Sequence, residues 1–442
     1  MRSALFAVLA ASAILLGGSP AQAEEPKEWA VLLYLQAWPD LVAHARGNLR
    51  AIECAPGAAS DASHEVIAQL DLGGLSGPRR YRLLPAKSPC TVWAPPAIES
   101  KVIGQLNPAD TSSEEERLRD YLSWAIAKYP ARHHLVIVWG HGRGYADASA
   151  GESAKAGGVA RRADGSFLDG PGLRRALEAA AKAKGGPIDV YASDACLMQS
   201  IEVVAELASV ARFVAGSPQI QSFQGLPYGA LLGALGGLGK DDPAAKLAAA
   251  LPVLARRSFA PGGELAGRDP GAAAHVAWSA VDAKVVADKL VPALHALGAA
   301  LEAFVAEDQT RRFAIRSALS RAPAYAGDAR DLGVLFRLLE QVRRRELNAY
   351  ADAAEALGPA LDAAAAALDA TVVSRALGSQ YSDPAWSGGS GAAAERALSA
   401  WIPASPADHA ARRAEFERSA FFRSAGARWG PWLSKVFEAE HP

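Results

Sequence analysis

IDVYASDACLM, residues 188–198, begins as a run of β-branched and apolar residues and ends at small and polar ones. LVIVWGHG, residues 135–142, has the same form. Such runs are typical of strands that are buried on both faces of a sheet. Cys196 comes just after one predicted strand and His141 just after the other. Because the carboxyl ends of parallel strands line the ligand-binding edge of an open α/β sheet, we expect both side chains at one cleft.

The spacing of these two residues predicts a strand–helix–strand unit. The 55-residue separation of His141 and Cys196 leaves room for a return connection, and Asp169 to Lys184 has the pattern of its helix. Upstream, Trp29 to Leu35 (WAVLLYL) predicts the first core strand, and Asp40 to Glu53 predicts a helix that Asp40 starts. The alternation of buried strands and helices predicts an α/β protein with a mostly parallel sheet.

Further elements are predicted on both sides of this unit. Strands are expected at Glu65 to Asp71, Arg80 to Pro85 and Arg212 to Ser217, the first two as a hairpin. Ser112 and Ser113 precede Glu115 and Glu116 by three residues, which is a doubled capping-box pattern for a helix ending near Lys128. Leu197 to Ala208 is predicted as a helix, which would put Cys196 at its N-terminus.

The C-terminal part of the chain is rich in Ala and Leu. The predicted helices there are Asp242 to Arg257, Asp282 to Glu307, Glu346 to Leu368 and Trp429 to Phe437, and the predicted strands are His275 to Ser279, Thr371 to Ala376 and Ala397 to Pro403. We therefore divide the mature chain into a catalytic domain at 24–257 and a smaller helix-rich region at 258–442 that completes or buttresses it.

Residues 1–23 have the features of a signal peptide. Arg2 is followed by a short apolar run and by Ala21-Gln22-Ala23, a small-residue cleavage site. The protein is therefore expected to be exported to a periplasm or the medium. No later segment is apolar for long enough to anchor it in a membrane. The formal net charge is −1. Phosphate binding needs concentrated Lys and Arg, so this near-neutral balance does not predict nucleic acid as a partner.

The chain has three cysteines. In an oxidising compartment Cys54 and Cys90 could form a disulfide, which would leave Cys196 as the odd thiol. Alternatively, all three are buried and reduced, since the sequence does not fix the distance between Cα atoms.

Cys196 and His141 fit nucleophilic catalysis of acyl transfer. A helix N-terminus and a nearby imidazole both favour the thiolate, and the imidazole can return the proton to a leaving amine. The backbone N–H groups of Gly142 and Cys196 are the candidates to stabilise an oxyanion. On spacing alone, Cys196 could equally be an inert core residue at a strand end.

Other chemistries fit these residues less well. A hydrolase nucleophile elbow needs small residues where Asp194 and Met198 stand. A zinc site needs more ligands at recognisable spacing than His133, His134, His141 and Cys196 supply, and a redox thiol normally has a C-x-x-C partner. The glycine-rich loop after Trp139 matches no phosphate-binding motif.

Several of these segments resemble the clostripain family of cysteine peptidases. The resemblance rests on WAVLLYL, on LVIVWGHGRGY, on IDVYASDACLMQSIEVVAEL with FVAGSPQIQSFQGLPY, and on later runs such as ALSAWIP and RWGPWLSKVF. It implies a caspase-like α/β/α sandwich with a mostly parallel mixed sheet and a helix-rich C-terminal region. Caspases place the His about 50 residues before the Cys, which agrees with the spacing here.

The resemblance also implies roles for individual residues. His141 would be the general base, Cys196 the nucleophile, and Asp194 the acid at the base of a pocket for Arg or Lys, although Asp194 could instead cap the following helix. Ser217 and Gln219 are further substrate-binding candidates. The family is known for self-cleavage between His and Cys, for which Lys155, Arg161 and Arg162 are the candidate positions.

The chain departs from the family pattern in three ways. Pro218 and Gln219 follow Ser217 where many relatives have an acid, which weakens the case for strict basic specificity. Arg143 stands where relatives often have Gly. Some relatives use calcium, but no D-x-D-x-D loop is present, so we predict no metal site or other cofactor and leave a calcium requirement open.

Two functions follow from the sequence. The first is an exported cysteine endopeptidase that cuts polypeptides after Arg or Lys and processes itself. The second is a catalytically silent caspase-like binding protein. The sequence does not fix the oligomeric state.

Overall fold

A computed structural model describes residues 25–37, 39–73, 77–90, 97–146, 157–162, 165–306, 308–346, 351–383, 386 and 394–437. The predicted signal peptide at 1–23 and the processing candidate Lys155 lie outside these residues. The strands are β1 (Lys27–Gln36), β2 (His64–Asp71), β3 (Arg79–Arg82), β4 (Val102–Gln105), β5 (Ala131–Trp139), β6 (Ile188–Asp194), β7 (Ala211–Gly216), β8 (Ala277–Asp282), β9 (Ala329–Asp331), β10 (Val372–Leu377) and β11 (Ser399–Trp401).

The helices of the described residues carry the connections between these strands. They are α1 (Val42–Cys54), α2 (Glu114–Lys128), α3 (Gly170–Lys184), α4 (Ile201–Leu207), α5 (Tyr228–Gly233), α6 (Pro243–Ser258), α7 (Ala272–His275), α8 (Ala283–Val285), α9 (Val291–Val305), α10 (Gln309–Ser320), α11 (Leu332–Glu346), α12 (Ala351–Thr371), α13 (Pro406–Phe416), α14 (Ala420–Arg423) and α15 (Trp429–Phe437). A π-helical turn, Val286–Leu290, joins α8 to α9.

Nine strands form one mixed sheet in the order β10-β8-β7-β6-β5-β1-β2-β3-β4. The central strands β2, β1, β5, β6 and β7 are parallel to one another. Most residues of β1, β5 and β6 are buried, because a parallel sheet is covered by helices on both faces. The two large apolar clusters lie on opposite faces of this sheet. The predicted α/β sandwich with a mostly parallel mixed sheet is confirmed.

The C-terminal part of the chain adds strands to the sheet as well as helices. β8 pairs antiparallel with β7, and β10 pairs antiparallel with β8. β9 and β11 form a separate two-stranded sheet. The helix-rich C-terminal region therefore shares one sheet with the rest of the protein, and the division at residue 257 stays a prediction.

Local signals account for several element boundaries. Ser113 and Glu116 form a capping box at the start of α2, and Asp169 caps α3 by accepting a hydrogen bond from the Gly172 N–H. A disulfide joins Cys54, at the end of α1, to Cys90, with a Cα–Cα distance of 5.6 Å.

Three predicted elements differ from the structure. The helix expected from Asp40 begins at Val42, and its N-cap residue is Leu41. The long helix expected over 282–307 is divided by the π-helical turn, and the helix expected from Glu346 begins at Ala351 after a separate helix, α11. Among the described residues, no helix is both long and apolar enough to cross a membrane.

Candidate active site

Pairing between β5 and β6 brings the loops of His141 and Cys196 together. Trp139 on β5 is the register partner of Asp194 on β6, so His141 and Cys196 each lie two residues beyond a paired position. The Gly140 N–H also donates to the Asp194 carbonyl at 3.3 Å, which continues the contact past the strand ends. The predicted meeting of the two loops at one sheet edge is thus present in the structure.

Gly142 allows the two loops to approach closely. A Cβ atom at this position would lie 2.3 Å from the Cys196 carbonyl oxygen, which is closer than a real Cβ contact. It would also lie 3.0 Å from the Cys196 nitrogen, at the lower limit of such contacts. Glycine is therefore required where the His141 loop passes the nucleophile.

Cys196 does not lie at a helix N-terminus, contrary to the sequence prediction. Helix α4 begins five residues later at Ile201, and Ser200 caps it by accepting a hydrogen bond from the Val203 N–H. Leu197 has a positive φ of 64°, a conformation that interrupts a right-handed helix. The helix dipole therefore does not act on Cys196, and its reactivity depends on individual neighbours.

The Cys196 thiol is partly buried and contacts backbone N–H groups. The Gln221 N–H donates to Sγ at 3.2 Å. Burial raises the pKa of the Cys196 thiol, and the backbone N–H groups of Gln221, Cys196 and Gly142 oppose this rise. The N–H groups of Gly142 and Cys196, the two predicted oxyanion donors, thus favour the thiolate form.

Asp40 hydrogen bonds to the imidazole of His141. The His141 Nε2 atom lies 3.0 Å from one carboxylate oxygen of Asp40 and 3.1 Å from the other. Partial burial would raise the pKa of Asp40, but the hydrogen bond and charge of His141 lower it below its usual value. An ionised carboxylate can only accept, so Nε2–H donates and Nδ1 is left free to accept a proton.

Sequence reasoning missed the position of Asp40. It treated this residue as a helix cap, because an Asp before an apolar helical pattern is a typical N-cap. The available signal was its place just after the first core strand, at the same sheet edge as His141 and Cys196.

Asp194 is buried beneath the loop that follows β7. It is 4% exposed, and its Oδ2 accepts hydrogen bonds from the Leu226 N–H at 2.8 Å and the Tyr228 hydroxyl at 2.9 Å. Oδ1 accepts no hydrogen bond from the described part of the chain. Gly225, with φ of 72°, passes so close that a Cβ atom there would lie 2.7 Å from Oδ2. Burial raises the pKa of Asp194 to about 6, and the two hydrogen bonds lower it less than burial raises it.

Ser217 and Gln219 hold the loop beside Cys196. The buried Ser217 hydroxyl accepts from the Gln219 N–H at 2.9 Å and donates to the Gln219 carbonyl at 3.1 Å. The Gln219 side chain donates to the Tyr381 hydroxyl at 3.3 Å and accepts from the Ile220 N–H at 2.8 Å. The buried Ser217 therefore fixes the backbone of this loop, and Gln219 lines a neighbouring cavity.

Arg161 and Arg162 lie in a segment attached to the His141 loop. The Ala160 N–H donates to the His141 carbonyl at 3.0 Å, and the Arg143 N–H donates to the Gly158 carbonyl at 2.9 Å. The Arg162 side chain donates to the Ser112 carbonyl at 2.9 Å. The positive charge of Arg161 contributes, after that of His141, to the lowered pKa of Asp40.

No group of three or more His, Cys, Asp or Glu side chains within the described ranges is arranged to hold a metal ion.

Comparison with known proteins gives a family match. Residues 96–251, which include His141, Asp194 and Cys196, match the model of the Clostripain family, C11 peptidases. This match confirms the predicted resemblance to the clostripain family over residues 96–251. No curated protein sequence matches the chain.

Solved structures share the fold at low sequence identity. The X-ray structure of a secreted C11 cysteine protease from Bacteroides thetaiotaomicron, in complex with an irreversible peptide inhibitor, aligns with a TM-score of 0.58 and 19% identity over 89% of this chain and 98% of that chain. An inactive zymogen C11 protease from Parabacteroides distasonis aligns with a TM-score of 0.56 and 14% identity over 90% of this chain and 98% of that chain. At these identities the likeness shows the fold.

The burial of Asp194 predicts a pH-dependent contribution to stability. Since its pKa in the folded protein, about 6, lies above the usual value of 3.8, the native state holds this proton more tightly than the unfolded chain. The free energy of unfolding of the wild type, relative to Asp194→Asn, should fall by about 3 kcal/mol as the pH rises from about 4 to above 6. Urea unfolding of both proteins at pH 4 and pH 7 measures this difference.

Asp120→Asn is the matched control, because Asp120 is exposed. The relative stability of that control should not change with pH in the same range. An equal gap between wild type and Asp194→Asn at both pH values would contradict the burial of Asp194.

Proposed function

We propose that this chain, of which residues 96–251 match the clostripain family, is an exported cysteine endopeptidase that cuts polypeptides after Arg or Lys. The main support is the strand register that sets His141 and Cys196 two residues beyond the Trp139–Asp194 pair. This geometry supports a catalytic dyad at one sheet edge.

The proposed reaction begins with transfer of the Cys196 thiol proton to Nδ1 of His141. Asp40 holds Nε2 and stabilises the imidazolium that forms. The thiolate then attacks the carbonyl carbon of the substrate, and the backbone N–H groups of Gly142 and Cys196 receive the oxyanion. His141 returns the proton to the leaving amine, and water hydrolyses the acyl-enzyme.

Activation depends on this proton transfer because Cys196 is not pre-ionised by its surroundings. Burial raises the pKa of the thiol, and the helix dipole that the sequence predicted is absent from the site. The imidazole is therefore the group that would turn the thiol into a nucleophile.

The preference for Arg or Lys rests on Asp194. Its Oδ2 is occupied by Leu226 and Tyr228, so Oδ1 is the oxygen that would accept from a guanidinium or ammonium group. Gly225 and its loop lie against this carboxylate. Entry of a substrate side chain would require that loop to shift.

Export and self-processing complete the proposal. Export rests on the signal-peptide pattern at 1–23. The processing bond is proposed after Arg161, because Ala160 is hydrogen bonded to the His141 loop and Arg162 is anchored to Ser112. The proposed substrates are thus polypeptides, either other proteins or this chain itself.

Catalysis by Cys196 is tested with a short fluorogenic peptide that ends in Arg. The wild type should hydrolyse it, and Cys196→Ala and His141→Ala should each lose at least about 100-fold in kcat/KM, because each removes one member of the dyad. A peptide with norleucine in place of Arg should be cut much more slowly. Equal hydrolysis by wild type and Cys196→Ala would exclude the dyad, and no hydrolysis by any form would favour the silent binding protein.

Asp40 is expected to position the His141 ring. Asp40→Asn should lower kcat by about 10-fold with little change in KM, since the amide can hydrogen bond but lacks the charge that stabilises imidazolium. Asp40→Glu should recover part of the loss. The rate of Cys196 alkylation by iodoacetamide should fall in parallel with kcat, which a loss of substrate binding would not cause.

The exposed Asp120 again supplies the control, Asp120→Asn, which should leave both rates unchanged. Unchanged kcat and alkylation in Asp40→Asn would show that the contact with His141 has no catalytic role.

Self-processing predicts a defined change in chain mass. Purified wild type should yield two fragments on incubation, with a new C-terminus at Arg161 by mass spectrometry, and Cys196→Ala should stay intact. Arg161→Ala should block or move the cut, whereas Arg162→Ala should not. A wild-type chain that stays whole while it hydrolyses peptides would contradict self-processing.

A further inference from the structure

A cavity is lined by part of the loop after β7, whose residue Gln221 contacts Cys196. It has a volume of about 320 Å³ and is lined by Gln219, Gln221, Phe259, Asp269, His275 and Val276 among others. Gln221 connects this cavity to Cys196, because its N–H donates to the Cys196 sulfur and the residue also lines the cavity. A peptide bound at Cys196 would therefore pass the mouth of this cavity.

The amide groups of the cavity wall are already paired. The Gln221 side chain accepts from the Trp278 indole N–H at 2.6 Å and donates to the Ser217 hydroxyl. The Gln219 side chain is held by Tyr381, whose hydroxyl donates to the His275 carbonyl at 3.0 Å. These bonds fix the wall in place before any ligand binds, so the cavity is preformed.

Asp269 differs from these two amides because its carboxylate accepts only one long hydrogen bond from the described residues. The Gly271 N–H donates to Oδ1 at a long 3.4 Å, and Oδ2 accepts no hydrogen bond from the described residues. No Lys or Arg of the described chain forms an ion pair with it. A half-buried carboxylate in a cavity is stabilised when a cationic donor reaches it.

The other walls suit the stem of a long side chain. Phe259 and Val276 are apolar and partly or fully buried, and Ile220 at the rim is 61% exposed. Lys and Arg carry an apolar stem and a charged end, so such a side chain could pack on these residues and place its charge at Asp269.

We propose that this cavity is a second specificity pocket, which binds a Lys or Arg side chain of the substrate at a position other than the one preceding the cut bond. The inference rests on the proposed peptidase function and extends it, because Asp194 and Asp269 would then read two basic residues of one peptide. The enzyme would favour substrates with paired basic residues over those with one.

A positional peptide library tests the proposal, with Arg fixed before the cut bond and Lys, Arg, norleucine or Glu at every other position. At one of these positions the wild type should prefer Lys over norleucine by about 10-fold in kcat/KM, as a charge-assisted hydrogen bond gives. Asp269→Asn should reduce this ratio to about one. Asp269→Lys should shift the preference at the same position toward Glu.

Asp241→Asn serves as the matched control, because Asp241 is exposed and lies outside the cavity. It should keep the wild-type ratio. The proposal is overturned if the ratio is the same in wild type and Asp269→Asn, or if the position that responds is the residue before the cut bond.

Binding without turnover separates this proposal from the peptidase function. Labelled Lys and norleucine peptides are titrated by fluorescence anisotropy into Cys196→Ala, with and without Asp269→Asn. If the wild type cuts no peptide but the Lys preference in binding disappears with Asp269→Asn, the pocket stands and the peptidase function fails. Equal binding of the two peptides to Cys196→Ala would overturn the pocket.

Discussion

The parallel pairing of β5 with β6 is the constraint on which the candidate site depends. Both strands are buried, so a shift of register by one residue would turn their apolar side chains to the wrong faces. The same register fixes Trp139 opposite Asp194 and therefore fixes where the two following loops emerge. Gly142 then lets these loops come into contact, so the position of His141 relative to Cys196 follows from the packing of the core.

Burial of a carboxylate next to the nucleophile is the second constraint. Asp194 is held by Leu226 and Tyr228, both from the segment after β7, and its burial raises its pKa to about 6. A buried carboxylate needs such partners, because an unpaired one is strongly unfavourable. The loop over Asp194 is thus held by hydrogen bonds to the same carboxylate that would bind the basic side chain of the proposed substrate.

The C-terminal part of the chain contributes to the cleft as well as to the core. Trp278 on β8 binds Gln221, and Tyr381 binds Gln219, so residues far along the chain fix the loop that lies against Cys196. Asp269 and His275 complete the cavity beside it. The region that the sequence predicted to complete or buttress the catalytic domain therefore also lines the cavity beside the Cys196 loop.

The amino-acid sequence by itself determined the buried strands, the capping box of α2, and the placement of His141 and Cys196 after two neighbouring strands. These features depend on local periodicity, side-chain chemistry and the rule that parallel strands share one ligand-binding edge. It also indicated the resemblance to the clostripain family, through motifs such as LVIVWGHGRGY and IDVYASDACLM. The tertiary structure decided what depends on contacts between distant residues. Asp40 reached His141 rather than capping α1, the turn at Leu197 separated Cys196 from α4, and Asp269 came to a cavity beside Gln221. Only the place of Asp40 after the first core strand was a sequence signal. No pattern in the sequence reports that Asp269 lies near Gln221, because their distance is set by how the whole sheet and its helices pack.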